Sequence, residues 1–271
     1  MSKQIDNLLM HTGDIALRRR AKWILEKIDS RNPKSILDVG CGDGFYLHLL
    51  SSLYPLAKVI GVDFDTNALN SARINLKGRK VILRQGDVCK LDFKDNSFDV
   101  VLASEVFEHL ESDTRGIKEV YRVLKPGGLL LVSVPHSNYP LLWDPVNWLL
   151  KNLFNTHIKQ GFWAGIWNQH VRLYSKDQLE NLLIKGGFKE IKLDTLTHIC
   201  LPFNHHLLNI FARILARGVG SLRKSDLSKF KGEKNKKKLS PFWLIFKFDK
   251  LNDFFKSRNV GVSVVASANK K

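Results

Sequence analysis

The sequence predicts an α/β protein built on one mostly parallel sheet with helices on both faces. Two observations carry that prediction. Between residues 35 and 135, short apolar runs of strand length alternate with stretches of helical periodicity, the rhythm of parallel βαβ units. These runs are continuously apolar instead of alternating, as strands covered on both faces are.

In chain order, residues 16–30 (ALRRRAKWILEKIDS) place Leu17, Ala21, Ile24, Leu25 and Ile28 at helical spacing and so predict an amphipathic helix. Asn32-Pro33 ends it. Strands are expected at 35–39, 58–62, 80–83, 98–103 and 129–134, each buried on both faces, with helices at 44–53, 66–76 and 113–124. Pro126-Gly127-Gly128 reads as the turn feeding the fifth strand. From 136 to 174 the chain is rich in Trp, Asn, His and Pro and has no clean period. A helix returns at 175–185, opened by a capping box of Ser175 with Gln178 and closed by Gly186-Gly187. Strands six and seven fall at 188–193 and 260–266, some 65 residues apart, far beyond the needs of a hairpin.

The 271 residues are 44% hydrophobic and 25% charged, which excludes global disorder. Cys41, Cys89 and Cys200 stand apart, without zinc-ligand spacing and without a disulfide framework, so a cytoplasmic protein that takes no metal is expected. The first 20 residues lack the apolar core of a secretory signal, and no window is apolar enough to span a bilayer. The net charge of +17 is concentrated: residues 217–271 hold 15 Lys/Arg against four Asp/Glu. An anionic neighbour for that end follows.

The segment SILDVGCGDGFYLHLL (35–50) is a strand, a glycine-rich turn and a helix start. A dinucleotide site expects GxGxxG around a pyrophosphate. Here Gly40, Gly42 and Gly44 run GxGxG, Phe45 stands where the third glycine would fall, and Asp38 precedes the turn. That acid suits a ligand bearing an ammonium or sulfonium group better than one bearing phosphates. Asp63, ending the second strand about 20 residues on, is placed to accept both hydroxyls of a ribose.

Five ordered motifs over residues 35–135 carry a resemblance: LDVGCGDG, VIGVDFD, QGDVCKLDF, FDVVLASEVFEHL and VLKPGGLLLVSVP. The chain resembles the class I S-adenosylmethionine-dependent methyltransferases of the ubiquinone/menaquinone methyltransferase-like group. That resemblance implies a Rossmann-like seven-stranded sheet with an antiparallel last strand, into which the spacing above places a long insertion between strands six and seven. It implies S-adenosyl-L-methionine as cofactor, with Asp63 on the ribose, Phe64 on the adenine, Asp87 accepting from the adenine amino group, Val88 giving backbone contact, and Ser104 and Glu105 following the fourth strand. HVRLYSKDQLENLLIKGGF (170–188) resembles the segment before strand six in the same group.

His136, directly after strand five, and His170 are the candidates for a base or a substrate contact, each weighed against an ordinary buried histidine; Tyr139 and Asp144 are weaker ones. Glu105 and His109, four apart, also read as a helix-start pair, and Asp99 as a fold-supporting carboxylate. The methyltransferase domain is expected to comprise 1–198 and 259–271, with 136–174, which holds four tryptophans, as the substrate lid. Residues 199–258 form a basic amphipathic insertion: 199–219 and 240–256 have apolar faces, and 217–238 between them carries nine Lys/Arg. This is the profile of a peripheral anchor on an anionic membrane surface, alternatively of two faces packed on the domain. The acceptor is expected to be small or lipid-like. RNA methylation is the rival reading, and a non-catalytic S-adenosylmethionine-binding protein a third. ASEVFEHL (103–110) lacks the Asn/Asp-Pro-Pro-aromatic loop of base-amine enzymes and holds no cysteine, which speaks against nucleic acid.

Overall fold

The computed structural model describes residues 2–29, 31–199, 229–230, 246–247, 249–255 and 259–271. The basic stretch 217–238 and the apolar stretch 199–219 therefore lie almost wholly outside the described residues, as does the first part of 240–256.

Ordered along the chain are α1 (Ser2–Leu8), α2 (Ile15–Asp29), β1 (Ser35–Val39), α3 (Phe45–Leu53), β2 (Lys58–Asp63), α4 (Thr66–Asn75), β3 (Val81–Gln85), β4 (Phe98–Ser104), α5 (Asp113–Val123), β5 (Leu124–Pro135), α6 (Pro145–Phe154), α7 (Lys176–Lys185), β6 (Lys189–Leu196) and β7 (Ser263–Asn269). One seven-stranded sheet runs β3-β2-β1-β4-β5-β7-β6. Its first five members pair in parallel, β1 between β2 and β4. β7 is antiparallel: Lys270, just past its end, meets the start of β5, where Gly127 N–H donates to the Lys270 carbonyl and Lys270 N–H to that of Gly128. The expected seven-stranded, mostly parallel architecture with a reversed last strand is the one observed.

Three local expectations need correction. β3 is the edge strand, so it is exposed along much of its length instead of covered on both faces. β5 begins at Leu124, because Pro126-Gly127-Gly128 is absorbed into the strand as an irregularity, the register jumping from Phe98↔Leu124 to Val100↔Leu129. Residues 106–109 form a turn, and the helix starts only at Asp113, capped by the Ser112 side chain; Glu105 and His109 are not a helix-start pair.

Two compact units divide the chain. The larger comprises Lys27–Ser137, Gln169–Asp194 and Val264–Lys271. Its core takes Leu37, Val39, Val101 and Val132 from the strands and Ile117, Val120, Leu179 and Leu183 from α5 and α7. The capping box of Ser175 and Gln178 is present in full.

The smaller unit comprises Met1–Glu26, Asn138–Asn168 and Thr195–Ser263. A buried polar knot orders the region that showed no periodicity. Asp144 caps α6 by accepting from Asn147 N–H at 3.1 Å and also takes Ile166 N–H at 3.0 Å, while Asn147 donates to the Trp163 and Ala164 carbonyls. Gly165 (φ +52) closes the knot, since a Cβ there would lie 2.0 Å from Asp144 Oδ2. Asp144 is thus a structural residue. In the same unit Asp249, buried, accepts from Arg18 and Arg19, and Asn252 exchanges hydrogen bonds with the Ile199 backbone at 2.8 Å. The described end of the 240–256 stretch thus contacts α2 through Arg18 and Arg19. No helix among the described residues is long and apolar enough to cross a membrane.

Candidate functional site

β1 carries the chain into the glycine turn, and two backbone bonds close it: Cys41 N–H to the Val62 carbonyl and Gly44 N–H to that of Cys41, both at 3.0 Å. Gly40, Gly42 and Gly44 all adopt positive φ, a region that costs other residues about 1–2 kcal/mol. Packing separates them. A Cβ on Gly44 would stand 2.7 Å from Leu76 and one on Gly40 2.5 Å from Val106, but one on Gly42 would meet nothing within 4 Å. Gly42 borders open space, and a side chain there would fill it.

Asp63, at the end of β2, braces the same turn. Its Oδ2 accepts from Gly42 N–H at 2.7 Å and its Oδ1 from Asp65 N–H at 2.9 Å. Each carboxylate oxygen has a second lone pair, so both can still accept a hydroxyl. Asp38 is the reverse case. It is 1% exposed, and among the described residues its Oδ2 has no hydrogen-bond partner. Burial, and then the neighbouring Asp63 charge, push its carboxyl well above the usual carboxylate range. A buried carboxylate with an oxygen that lacks a partner is costly unless a positive charge is brought to it.

Phe64 is 77% exposed, with its ring available for stacking. Asp87 is exposed, and its Oδ1 accepts from Cys89 N–H at 2.8 Å, an Asx turn. Val88 is buried behind it. Ser104, ending β4, bonds to Tyr46 Oη at 3.1 Å and Ser133 Oγ at 2.8 Å. Glu105 takes the Ser133 hydroxyl at 3.1 Å and has φ +57, a strained backbone for a side chain of its kind. Tyr46 and Ser133 were not singled out in the sequence, since nothing in their spacing marks them.

The two histidines differ. His136 is buried after β5, in a parallel bridge with Tyr174. His170 lies against the β4–α5 turn: its Nε2 is 4.0 Å from Glu108 Oε1, and its ring is edge-on to that of His109 with centroids 4.8 Å apart. Glu108 and the place of His109 beside it escaped the sequence reading; the adjacent Glu-His pair was the available signal. Asp99 is on the opposite, amino-terminal side of β4. It accepts from Lys34 and Ser35 N–H and from Lys125 Nζ, as a fold-supporting carboxylate should.

A family model described as "Methyltransferase domain" matches residues 37–132, the span of β1 to β5. A probable S-adenosylmethionine-dependent methyltransferase of Mycobacterium tuberculosis is 29% identical over 66% of this chain, which spans 58% of that protein's length. A demethylmenaquinone methyltransferase of Lactococcus lactis is 31% identical over 58% of this chain and 67% of its own. The chain belongs to the class I S-adenosylmethionine-dependent methyltransferases, in the ubiquinone/menaquinone methyltransferase-like group. A crystal structure of an S-adenosylmethionine-dependent methyltransferase from Archaeoglobus fulgidus shares the fold at a TM-score of 0.54, with 16% identity and 93% of both chains covered. S-adenosylmethionine is the cofactor of this family, and the residues present fit it: a glycine turn with open space at Gly42, a buried acid with one oxygen unpartnered among the described residues, and a carboxylate with lone pairs left for a ribose.

Proposed function

We propose that this methyltransferase holds S-adenosylmethionine on Asp38, Gly40, Gly42, Gly44, Asp63, Phe64, Asp87, Val88, Ser104 and Glu105, and methylates a small or lipid-like acceptor. The observation that carries the reading is the pairing of Asp63, locked on Gly42 N–H at 2.7 Å, with Asp38, whose buried Oδ2 has no partner among the described residues. Asp63 receives the ribose hydroxyls, Asp38 balances the positive charge, and the face of Phe64 covers the adenine. When bound, the cofactor supplies an electrophilic methyl group on a sulfonium. What the chain contributes is position and exclusion of water, which can be worth effective molarities of about 10⁵ M or more.

Two features support a lipid-like acceptor. The relatives include demethylmenaquinone methyltransferases, whose name points to an isoprenoid quinone precursor. The smaller unit exposes apolar side chains on and beside α6, with Leu149 and Leu153 one turn apart, then Phe154 and Trp163, a surface suited to an apolar molecule or an interface. The nine Lys/Arg of 217–238 add attraction to anionic lipid, so the reading includes a peripheral position on the membrane. His136 and His170 remain the candidates to meet the acceptor.

Calorimetry with S-adenosylmethionine tests the cofactor half, and absence of binding by the purified chain overturns it. Comparing lipid extracts from cells with and without the protein tests the acceptor half, a species heavier by one methylene being expected. Sedimentation with anionic liposomes tests the membrane position.

A further inference from the structure

We infer that Glu108, His109 and His170 form a binding site for one divalent transition-metal ion. Their ligand atoms all lie within 4.8 Å of one another. Glu108 is fully buried, and its Oε1 faces His109 Nε2 at 3.8 Å and His170 Nε2 at 4.0 Å. Both distances exceed a hydrogen bond. They match the separation of two ligands on one ion, which is roughly 3–4 Å when each bond is about 2.0–2.2 Å.

The rest of the geometry is that of an oriented ligand set. His109 Nδ1 is 3.0 Å from the Gln169 carbonyl. A carbonyl only accepts, so Nδ1 carries the hydrogen and the Nε2 lone pair is left for a metal, the way outer hydrogen bonds fix metal-binding histidines. Gln169 is held at φ +63 to present that carbonyl. The two contributing segments are stitched together on either side of the cluster. Val171 N–H donates to the Glu108 carbonyl at 2.9 Å, and Arg172 donates to the carbonyls of Leu110 at 2.8 Å and Glu111 at 3.1 Å. Tyr174 Oη donates to Asp113 at 2.8 Å. His170 is thereby fixed beside a dipeptide 61 residues away in the chain, a juxtaposition that no local spacing displays, which is why the sequence reading expected no metal.

Two imidazoles and a carboxylate suit Zn²⁺ and its first-row neighbours more than Mg²⁺ or Ca²⁺. Three protein ligands leave a position open. If the methyl-transfer reading holds, on which this last step rests, that position takes an oxygen of a hydroxyl-bearing acceptor.

The test is calorimetric titration of the full chain, stripped with a chelator, with Zn²⁺, and absorption spectroscopy with Co²⁺. One saturable equivalent is expected, and Co²⁺ should give the intense visible bands of four- or five-coordination. His109→Ala and His170→Ala should each weaken Zn²⁺ by more than the roughly 10–100-fold that loss of a supporting hydrogen bond costs. No saturable binding, unchanged affinity in both variants, or only the weak bands of hexaaqua-like Co²⁺ would overturn the site. The Co²⁺ spectrum of the unmodified chain decides the matter even if a variant fails to fold. S-adenosylmethionine binding measured alongside separates the two proposals: cofactor binding without Zn²⁺ sinks only the metal site, and Zn²⁺ binding without the cofactor sinks only the methyl-transfer reading.

Discussion

Asp38 and Asp99 sit on adjacent strands of one sheet and live in opposite conditions. Asp99, near the amino end of β4, collects the backbone N–H of Lys34 and Ser35, the Ser35 hydroxyl and the Lys125 ammonium, all at 2.7–2.9 Å. Burial raises its pKa, but the bonds from Lys125 and Ser35 outweigh that and leave it below the ordinary carboxylate range. Asp38, near the carboxyl end of β1, has an oxygen with no partner among the described residues, and its pKa goes the other way. One end of the sheet is internally complete and the other is short of positive charge. That difference is the one expected between scaffold and the proposed site: a buried polar deficit of this kind costs stability unless a ligand supplies what is missing.

The largest effect should come from breaking the deficient end. Asp63→Ala removes the acceptor of Gly42 N–H together with the proposed ribose contacts. With charge-assisted bonds worth about 1.5–3 kcal/mol each, cofactor affinity should fall roughly 100-fold or more. Calorimetry checks it, and unchanged affinity would count heavily against the site. Asp99→Asn is the matched control at the complete end. It should leave cofactor affinity unaltered and cost on the order of 1–3 kcal/mol of unfolding free energy, read by denaturant titration. Because the Asp99 pKa is lowered by folding, its contribution is present above the unfolded-state value and lost as pH falls through the folded one. The stability gap between wild type and Asp99→Asn should therefore close in acid.

The glycines sharpen the same contrast within a single turn. Gly44→Ala meets both a positive φ and Leu76 at 2.7 Å, so it should destabilise by about 2–4 kcal/mol. Gly42→Ala meets a positive φ and open space, so the strain of about 1–2 kcal/mol is all that stability should lose. Cofactor affinity should nevertheless drop, because the methyl group occupies the space that the cofactor needs. A Gly42→Ala protein with full affinity would show that the open space is not the binding cradle.

Much of this was legible in the residues. Strands β1 and β2 and helices α3, α4 and α7 fall within a residue or so of their expected limits, because apolar runs and caps are local signals. What escaped was held by contacts between distant residues. The knot of Asp144, Asn147 and Gly165 orders 144–166 through buried polar bonds, which hydrophobic periodicity cannot register. The edge position of β3 follows from strand order, and no property of VILRQ announces it. At the site, Asp38, Gly42 and Asp63 were readable because turn and strand end carry them at a characteristic spacing. Glu108 and His170 were separated by the whole of α5, β5 and α6, and only the fold brings them within 4.0 Å.

The smallest effect is also the most specific to Asp38. Its folded-state pKa is raised, so the apo protein holds a proton there at pH values where an ordinary aspartate is ionised. A cationic ligand against that carboxyl lowers the pKa again, so binding must expel the proton. Cofactor affinity should therefore rise with pH until Asp38 is ionised in the free protein and level off above that point. Calorimetry in two buffers of different ionisation enthalpy should show net proton release on the rising part. The linkage also fixes a stability sign. A carboxyl whose pKa is raised by folding stabilises the fold below its unfolded-state value and loses that contribution as pH rises through the folded one. Above the unfolded-state value the buried carboxyl must either carry an unsolvated charge or take up a proton, so Asp38 is a burden on the apo protein there, and Asp38→Asn should raise its melting temperature while weakening the cofactor and flattening the pH dependence. A variant that lowers both stability and affinity would instead place Asp38 with Asp99, as scaffold.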